Sequence, residues 1–175
     1  MNNALDNEVN LISSPAIRNY VLECIRRTPE YFWAVPSSSS GKYHPQDENT
    51  KGGTVLHTRR AVRIAEDLCR MYNVIGEDRD CVIAATIMHD FCKNGYPRDM
   101  RYTVSGHGSL WINIGQTKEN YKGFKDSKMA MTIGRLIACH MGRFDIPFLA
   151  GATILDTIVQ TADYISSREY ISVNV

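Results

Sequence analysis

Four histidines and two aspartates in this chain have the types and company that hold a divalent cation. His89 and Asp90 are adjacent and close an apolar run, Val82-Ile83-Ala84-Ala85-Thr86-Ile87-Met88, with Lys93 three residues beyond the aspartate. An unpaired charge at the end of a buried run is strongly disfavoured. Imidazole and carboxylate are both good ligands for a divalent metal, and shared coordination makes such a pair tolerable. His57 lies upstream; His107, His140 and Asp163 lie downstream. A lone buried histidine is usually a core residue with its own hydrogen-bond partner. Four of them would each need a separate buried partner, whereas one metal centre accommodates them all. The fifth histidine, His44, sits in a serine- and glycine-flanked stretch and is expected to be an exposed loop residue.

The elements that position these residues read as helices. Ser14-Pro15 has the form of an N-cap with proline at the first helical position, and Ile17, Val21, Cys24 and Ile25 follow at helical spacing, predicting a helix over 15–28. Ser37 to Gly41 reads as a loop that continues to Gly52-Gly53. The next helix runs from Thr54 to about Tyr72, with His57, Ala61, Ile64, Ala65, Leu68 and Tyr72 as its buried stripe. After the break at Gly76, a helix capped by Glu77 or Asp78 extends to Lys93, with Val82, Ala85, Thr86 and His89 inward and Asn94-Gly95 as its stop. A loop over 96–108 opens into a short helix containing Trp111 and Ile114, and residues 117–126 form a solvated connection. Ser127 caps a helix with Ala130, Ile133, Ile137 and His140 on one face, closed by Gly142, and Pro147 breaks the path beyond it. The last helix spans Thr153 to about Arg168, with Leu155, Val159, Ala162 and Ser166 at helical spacing. Asp156, one heptad before Asp163, competes with it on periodicity alone. Tyr170 to Val175 is a short extended tail. The fold class is all-α.

Composition bounds the function classes. A chain of 175 residues, 43% hydrophobic and 22% charged, suits one soluble domain spanning 1–175. A net charge of +1 excludes an overall basic field for non-specific nucleic-acid binding. No stretch approaches the roughly 20 apolar residues of a membrane span. The first residues lack a basic and then apolar leader, so a cytoplasmic location is expected. The five cysteines (Cys24, Cys69, Cys81, Cys92 and Cys139) are odd in number and contain no C-x-x-C pair. They read as reduced, buried thiols rather than a disulfide framework.

Read together, His57, His89-Asp90 and Asp163, in that order on separate helices, resemble the signature of the HD-superfamily metal-dependent phosphohydrolases. Gly53-Thr54-Val55-Leu56-His57-Thr58 looks like the entry segment of some members, including the HD domains of certain 3′–5′ exoribonucleases. Met88-His89-Asp90-Phe91-Cys92-Lys93 is similar to their His-Asp-x-x-Lys segment. Thr161-Ala162-Asp163-Tyr164-Ile165-Ser166-Ser167-Arg168 resembles the helix that supplies the last aspartate. The resemblance covers about residues 42–170, with the helix over 15–28 packed on that core as part of a compact helical HD-domain bundle. Cys92 departs from the subgroup named for His-Asp-Ile-Gly, which carries glycine there.

The resemblance implies that His57, His89, Asp90 and Asp163 bind one metal. Gly106-His107-Gly108 and Cys139-His140-Met141-Gly142 stand where two-metal members carry two further histidines, and Asp90 would bridge to that second ion. The metal is Mn, Fe, Zn, Ni, Co or Mg, in one copy or two. Activated water attacking phosphorus would then cleave a phosphoester or phosphoanhydride bond in a small nucleotide or short oligonucleotide. Asp90 and Lys93 are the catalytic candidates, and Arg98, Arg101 and Arg143 are candidate phosphate contacts through forked hydrogen bonds. Tyr96, Tyr102 and Trp111 read as core or rim packing rather than base-stacking residues. Two rival readings are a non-catalytic HD domain that binds a nucleotide or partner, and a di-iron oxygenase of the same superfamily. An oligomer is compatible with all three.

Overall fold

The computed structural model describes residues 4–97, 100–115, 128–142 and 152–175, without the side chains of residues 112 and 113. In chain order the helices are α1 (Asp6–Asn10), α2 (Pro15–Arg27), α3 (Gly53–Met71), α4 (Gly76–Met88), α5 (His107–Leu110), α6 (Ile112–Gly115), α7 (Lys128–Ala138) and α8 (Ile154–Ser166). Two 3₁₀ turns follow α2 in the chain: Glu30–Trp33, and Gln46–Asn49 within the segment read as loop. No strand occurs among the described residues, and the tail after Tyr170 is irregular.

α4 is the axis of the bundle. Every residue from Asp80 to Met88 is buried, and a helix covered on all sides belongs at the centre of a fold. It packs against α1, α2, α3, α7 and α8. The single inward stripe expected for this helix is therefore too narrow, because neighbours cover every face. The helix is also shorter than predicted. Its ladder gives way after Met88 to tight turns, with the N–H of Phe91 on Met88 O, Lys93 on Asp90 O and Gly95 on Cys92 O. Neighbouring side chains diverge on an α-helix, and the ladder ends where His89 and Asp90 must serve one site. Phe91 and Phe32 meet edge to face at 4.9 Å beneath those turns.

α3 carries His57 on its buried face together with Ala61, Ala65 and Cys69, whereas Tyr72 falls past its end and is exposed. α3 packs on α8 and α4. Gly52, at φ 79°, starts α3, and a side chain on Gly53 would place its Cβ 1.7 Å from the carbonyl oxygen of Glu48. That close approach seats the 46–49 turn against the first turn of α3, which only glycine permits. Arg60 locks it there, donating to Asp47 (2.7 and 2.9 Å), to Glu48 (2.7 Å) and to the carbonyl of Val173 in the tail (3.1 Å).

Ser14 and Pro15 start α2 as predicted, and the Ser14 N–H donates to Asp80 of α4 at 2.7 Å. Leu155, Val159, Ala162 and Ser166 are the buried face of α8, as their spacing predicts. Asp156 accepts from both the N–H and the hydroxyl of Thr153, each at 2.7 Å, and pairs with Arg135. It is spent on capping its helix, which removes it as a rival to Asp163. The connection over 117–126, Ser127 and Pro147 lie outside the described residues. Among the described residues no helix is long and apolar enough to cross a membrane.

Candidate metal centre

Five segments deliver the six predicted ligands to one place. His57 comes from the first turns of α3, His89 and Asp90 from the turn after α4, and His107 from the start of α5. His140 comes from the turn after α7, and Asp163 from the last turn of α8. Gly108 makes the fourth delivery possible: a Cβ there would lie 2.6 Å from the carbonyl of Ile137 and 3.0 Å from His140 Nδ1.

The six fall into two triads whose donor atoms lie close together: His57, His89 and Asp163, then Asp90, His107 and His140. In the first, His57 Nε2 is 3.3 Å from His89 Nε2 and 3.1 Å from Asp163 Oδ1, and His89 Nε2 is 3.6 Å from the same oxygen. In the second, His107 Nε2 is 3.0 Å from His140 Nε2 and 3.1 Å from Asp90 Oδ1, with His140 Nε2 at 3.9 Å from that oxygen. Two nitrogens bound to one ion at roughly 2.0–2.1 Å, at tetrahedral or octahedral angles, sit about 2.9–3.4 Å apart. The contacts between ring nitrogens match this spacing. Asp90 divides its carboxylate between the triads. Oδ1 faces His107 and His140, while Oδ2 is 3.7 Å from His89 Nε2 and 3.0 Å from Lys93 Nζ.

The outer nitrogen of each ring fixes its tautomer. His89 Nδ1–H donates to Thr86 O at 2.7 Å, His107 to Val104 O at 3.0 Å, and His140 to Ile137 O at 2.7 Å. Each bond leaves the Nε2 lone pair directed at the site. His57 is oriented differently. The Ser166 hydroxyl donates to the carbonyl of Asp163 and so accepts from His57 Nδ1–H at 3.3 Å, and Glu48 Oε2 lies 3.5 Å from the same nitrogen. With every ring in its neutral tautomer, lone pairs on four Nε2 atoms and two carboxylates face one another at about 3 Å, a mutual repulsion that a bound cation, or protons taken up by the rings, relieves. A divalent ion fits this donor set, and such outer partners are the usual means of orienting a ligating histidine.

Protonation follows from the same geometry. Burial alone drives the His57 ring toward neutrality, but Asp163 and Glu48 outweigh it and hold its pKa up at about 9. Burial opposes the charged form of His107 as well, and Asp90 raises it. His140, buried beside two other imidazoles, is pushed down to about 4. Burial works against ionisation of both carboxyls, yet Lys93 with the rings of His89 and His107 holds Asp90, and the rings of His57, His89 and His140 hold Asp163, below the usual range.

The site opens on a cavity of about 800 Å³, walled by Ser37 to Ser40, Tyr43, His44, Lys93, Tyr102, Gln160, Tyr164 and Arg168 around the ligands. His44 corrects an expectation. It is half-buried, not an exposed loop residue; its Nδ1 lies 2.9 Å from Ser37 Oγ and 2.8 Å from Glu48 Oε2, and its ring packs edge-on against His57. Lys93 is buried, with its ammonium shared between Asp90 and the carbonyl of Ser37. Arg101 is exposed over the ring of Tyr102 and does not line the cavity, and Arg98 and Arg143 lie outside the described residues. Trp111 is core, whereas Tyr102 stands on the cavity rim. Burial pushes the Cys92 thiol up to about 12, so it offers no thiolate beside the ligands. Glu48, Ser166 and Arg168 were not singled out as site residues by sequence spacing. Glu48 is wholly buried in a loop with no apolar period to mark it.

A sequence model of the HD domain matches residues 54–168, which hold all six candidate ligands, and the chain belongs to that family. No curated protein and no solved structure matches the chain. The family match suggests hydrolase-type chemistry, and the buried histidine–aspartate cluster is compatible with a divalent metal.

Proposed function

We propose that the protein is a metal-dependent phosphohydrolase that cleaves a phosphoester or phosphoanhydride bond in a nucleotide or short oligonucleotide, with an ion in each triad. The observation that carries this reading is the position of Asp90, whose two carboxylate oxygens face different triads. Metal held there supplies Lewis acidity toward phosphoryl oxygens and a water acidified into a nucleophile near neutral pH. The chain's own contribution is arrangement. Backbone carbonyls of Thr86, Val104 and Ile137 hold three imidazoles in the ligating tautomer. Lys93 neutralises the outer side of Asp90 and fixes its plane. The cavity, at about 800 Å³, falls within the 300–1,000 Å³ typical of small-ligand sites. Its hydroxyl-rich and tyrosine-rich wall suits phosphate and sugar oxygens.

The test is a screen of nucleotides and short oligonucleotides for phosphate or mononucleotide release, with Mn²⁺ or Fe²⁺ added. Turnover is expected in the wild type and is abolished by Asp90→Ala in a protein whose helical circular dichroism is unchanged. Full activity in that variant would contradict the assignment.

A further inference from the structure

Among the described residues, the cavity wall holds one cation that the metal site does not use, Arg168. Lys93 is committed to Asp90 and to the carbonyl of Ser37. Arg168, just past the end of α8, has no carboxylate partner among the described residues. Its Nε is buried without a hydrogen-bond partner there, and its Nη2 donates only to the Ser167 hydroxyl, at 2.9 Å. The guanidinium lies over the ring of Tyr164, 4.4 Å from the centroid, with the ring of Tyr43 at 5.8 Å, and all three side chains line the cavity. A guanidinium held by its faces against aromatic rings keeps its N–H edge for an in-plane acceptor, the geometry that suits a phosphate.

We propose that Arg168, oriented by Tyr43 and Tyr164, is a specificity contact for a second phosphoryl group, carried by the substrate beside the one that reacts. The substrate class is thereby narrowed to nucleotides with at least two phosphates in sequence, such as nucleoside diphosphates or dinucleoside polyphosphates. This deepens the phosphohydrolase reading and rests on it for the word substrate, but the binding claim stands on the Arg168 geometry alone. Asp163 and Arg168 both line the cavity. With the reacting phosphoryl group held at the two triads, the uncommitted guanidinium of Arg168 is left for another anionic group of the same ligand.

The test is calorimetric titration of the protein, with and without Mn²⁺, using AMP and the non-hydrolysable α,β-methylene analogue of ADP. Wild type is expected to bind the diphosphate analogue about tenfold or more tightly than AMP, as loss or gain of one charge-assisted contact implies. Arg168→Ala erases that preference while leaving AMP affinity within about twofold. Arg168→Lys, which keeps the charge and the fold, retains part of it, and Tyr164→Ala and Tyr43→Ala each reduce it. No binding of the analogue, no preference in the wild type, or equal loss for both ligands in Arg168→Ala overturns the proposal. Absence of turnover with any nucleotide, alongside an intact Arg168-dependent preference, would instead sink the phosphohydrolase reading and leave the second phosphate site standing.

Discussion

Glu48 acts on the metal centre from behind it. Its carboxylate lies 3.5 Å from the outer nitrogen of His57, accepts from Arg60 and meets His44, so one buried group links a ligand to the loop that walls the cavity. Outer partners of this kind typically change metal affinity by 10–100-fold. Glu48→Gln is therefore expected to weaken metal binding by about tenfold or more, read by competition with a chromogenic chelator. Unaltered affinity would show that Glu48 serves only the loop. Protonation gives a second prediction. Below its pKa of about 9 the free His57 ring holds a proton, sustained by Asp163 and Glu48 against burial, and metal must displace it. Apparent metal affinity then rises with pH up to about 9, with proton release detectable in buffers of different ionisation enthalpy. A flat profile between roughly pH 6 and 9 would contradict ligation by His57. Of the six candidate ligands, His57, His89, Asp90, His140 and Asp163 stood out as polar residues on or beside apolar helical patterns, whereas His107, in a stretch read as loop, was placed by the family resemblance. Glu48 and His44 went unmarked, since a loop has no period against which a buried carboxylate stands out.

The elements owe their convergence to two glycines and one cap. Gly108 lets α5 touch the end of α7, and any Cβ there would press on Ile137 O and on His140 itself. Gly108→Ala is expected to cost about 1–3 kcal/mol of stability, the usual range for overpacking. It should also loosen the triad of Asp90, His107 and His140 ahead of the other, as seen by thermal denaturation and metal content together. Asp156 and Asp163 share α8 but not its work. Asp156→Ala removes the Thr153 cap and the Arg135 pair, so a loss of about 1 kcal/mol is expected with metal content unchanged. Asp163→Ala should do the reverse, losing metal from the first triad. Helix positions followed well from apolar spacing, and the start of α2 at Ser14-Pro15 was readable from type alone, whereas Thr153, read as the first residue of the last helix, is its cap. The premature end of α4 was not readable, because the apolar run continues in register through Met88 and nothing in its composition marks the turns that aim His89 and Asp90.

At the scale of the whole molecule, the candidate ligands come from segments spread from α3 to α8, so a bound metal would tie the bundle together from His57 to Asp163. Binding to the folded state alone should raise stability by about 2.7 kcal/mol at a hundredfold excess over the dissociation constant. For a chain of this length that is a rise in Tm of roughly 5–10 °C, reversed by a chelator and visible by scanning calorimetry. The most direct test of the account is the number of ions per chain, measured by elemental analysis after reconstitution with Mn²⁺ and removal of the excess. Two are expected in the wild type and one in each of His107→Ala and His140→Ala. No bound metal in the folded wild type, or a count unchanged in both variants, would contradict it.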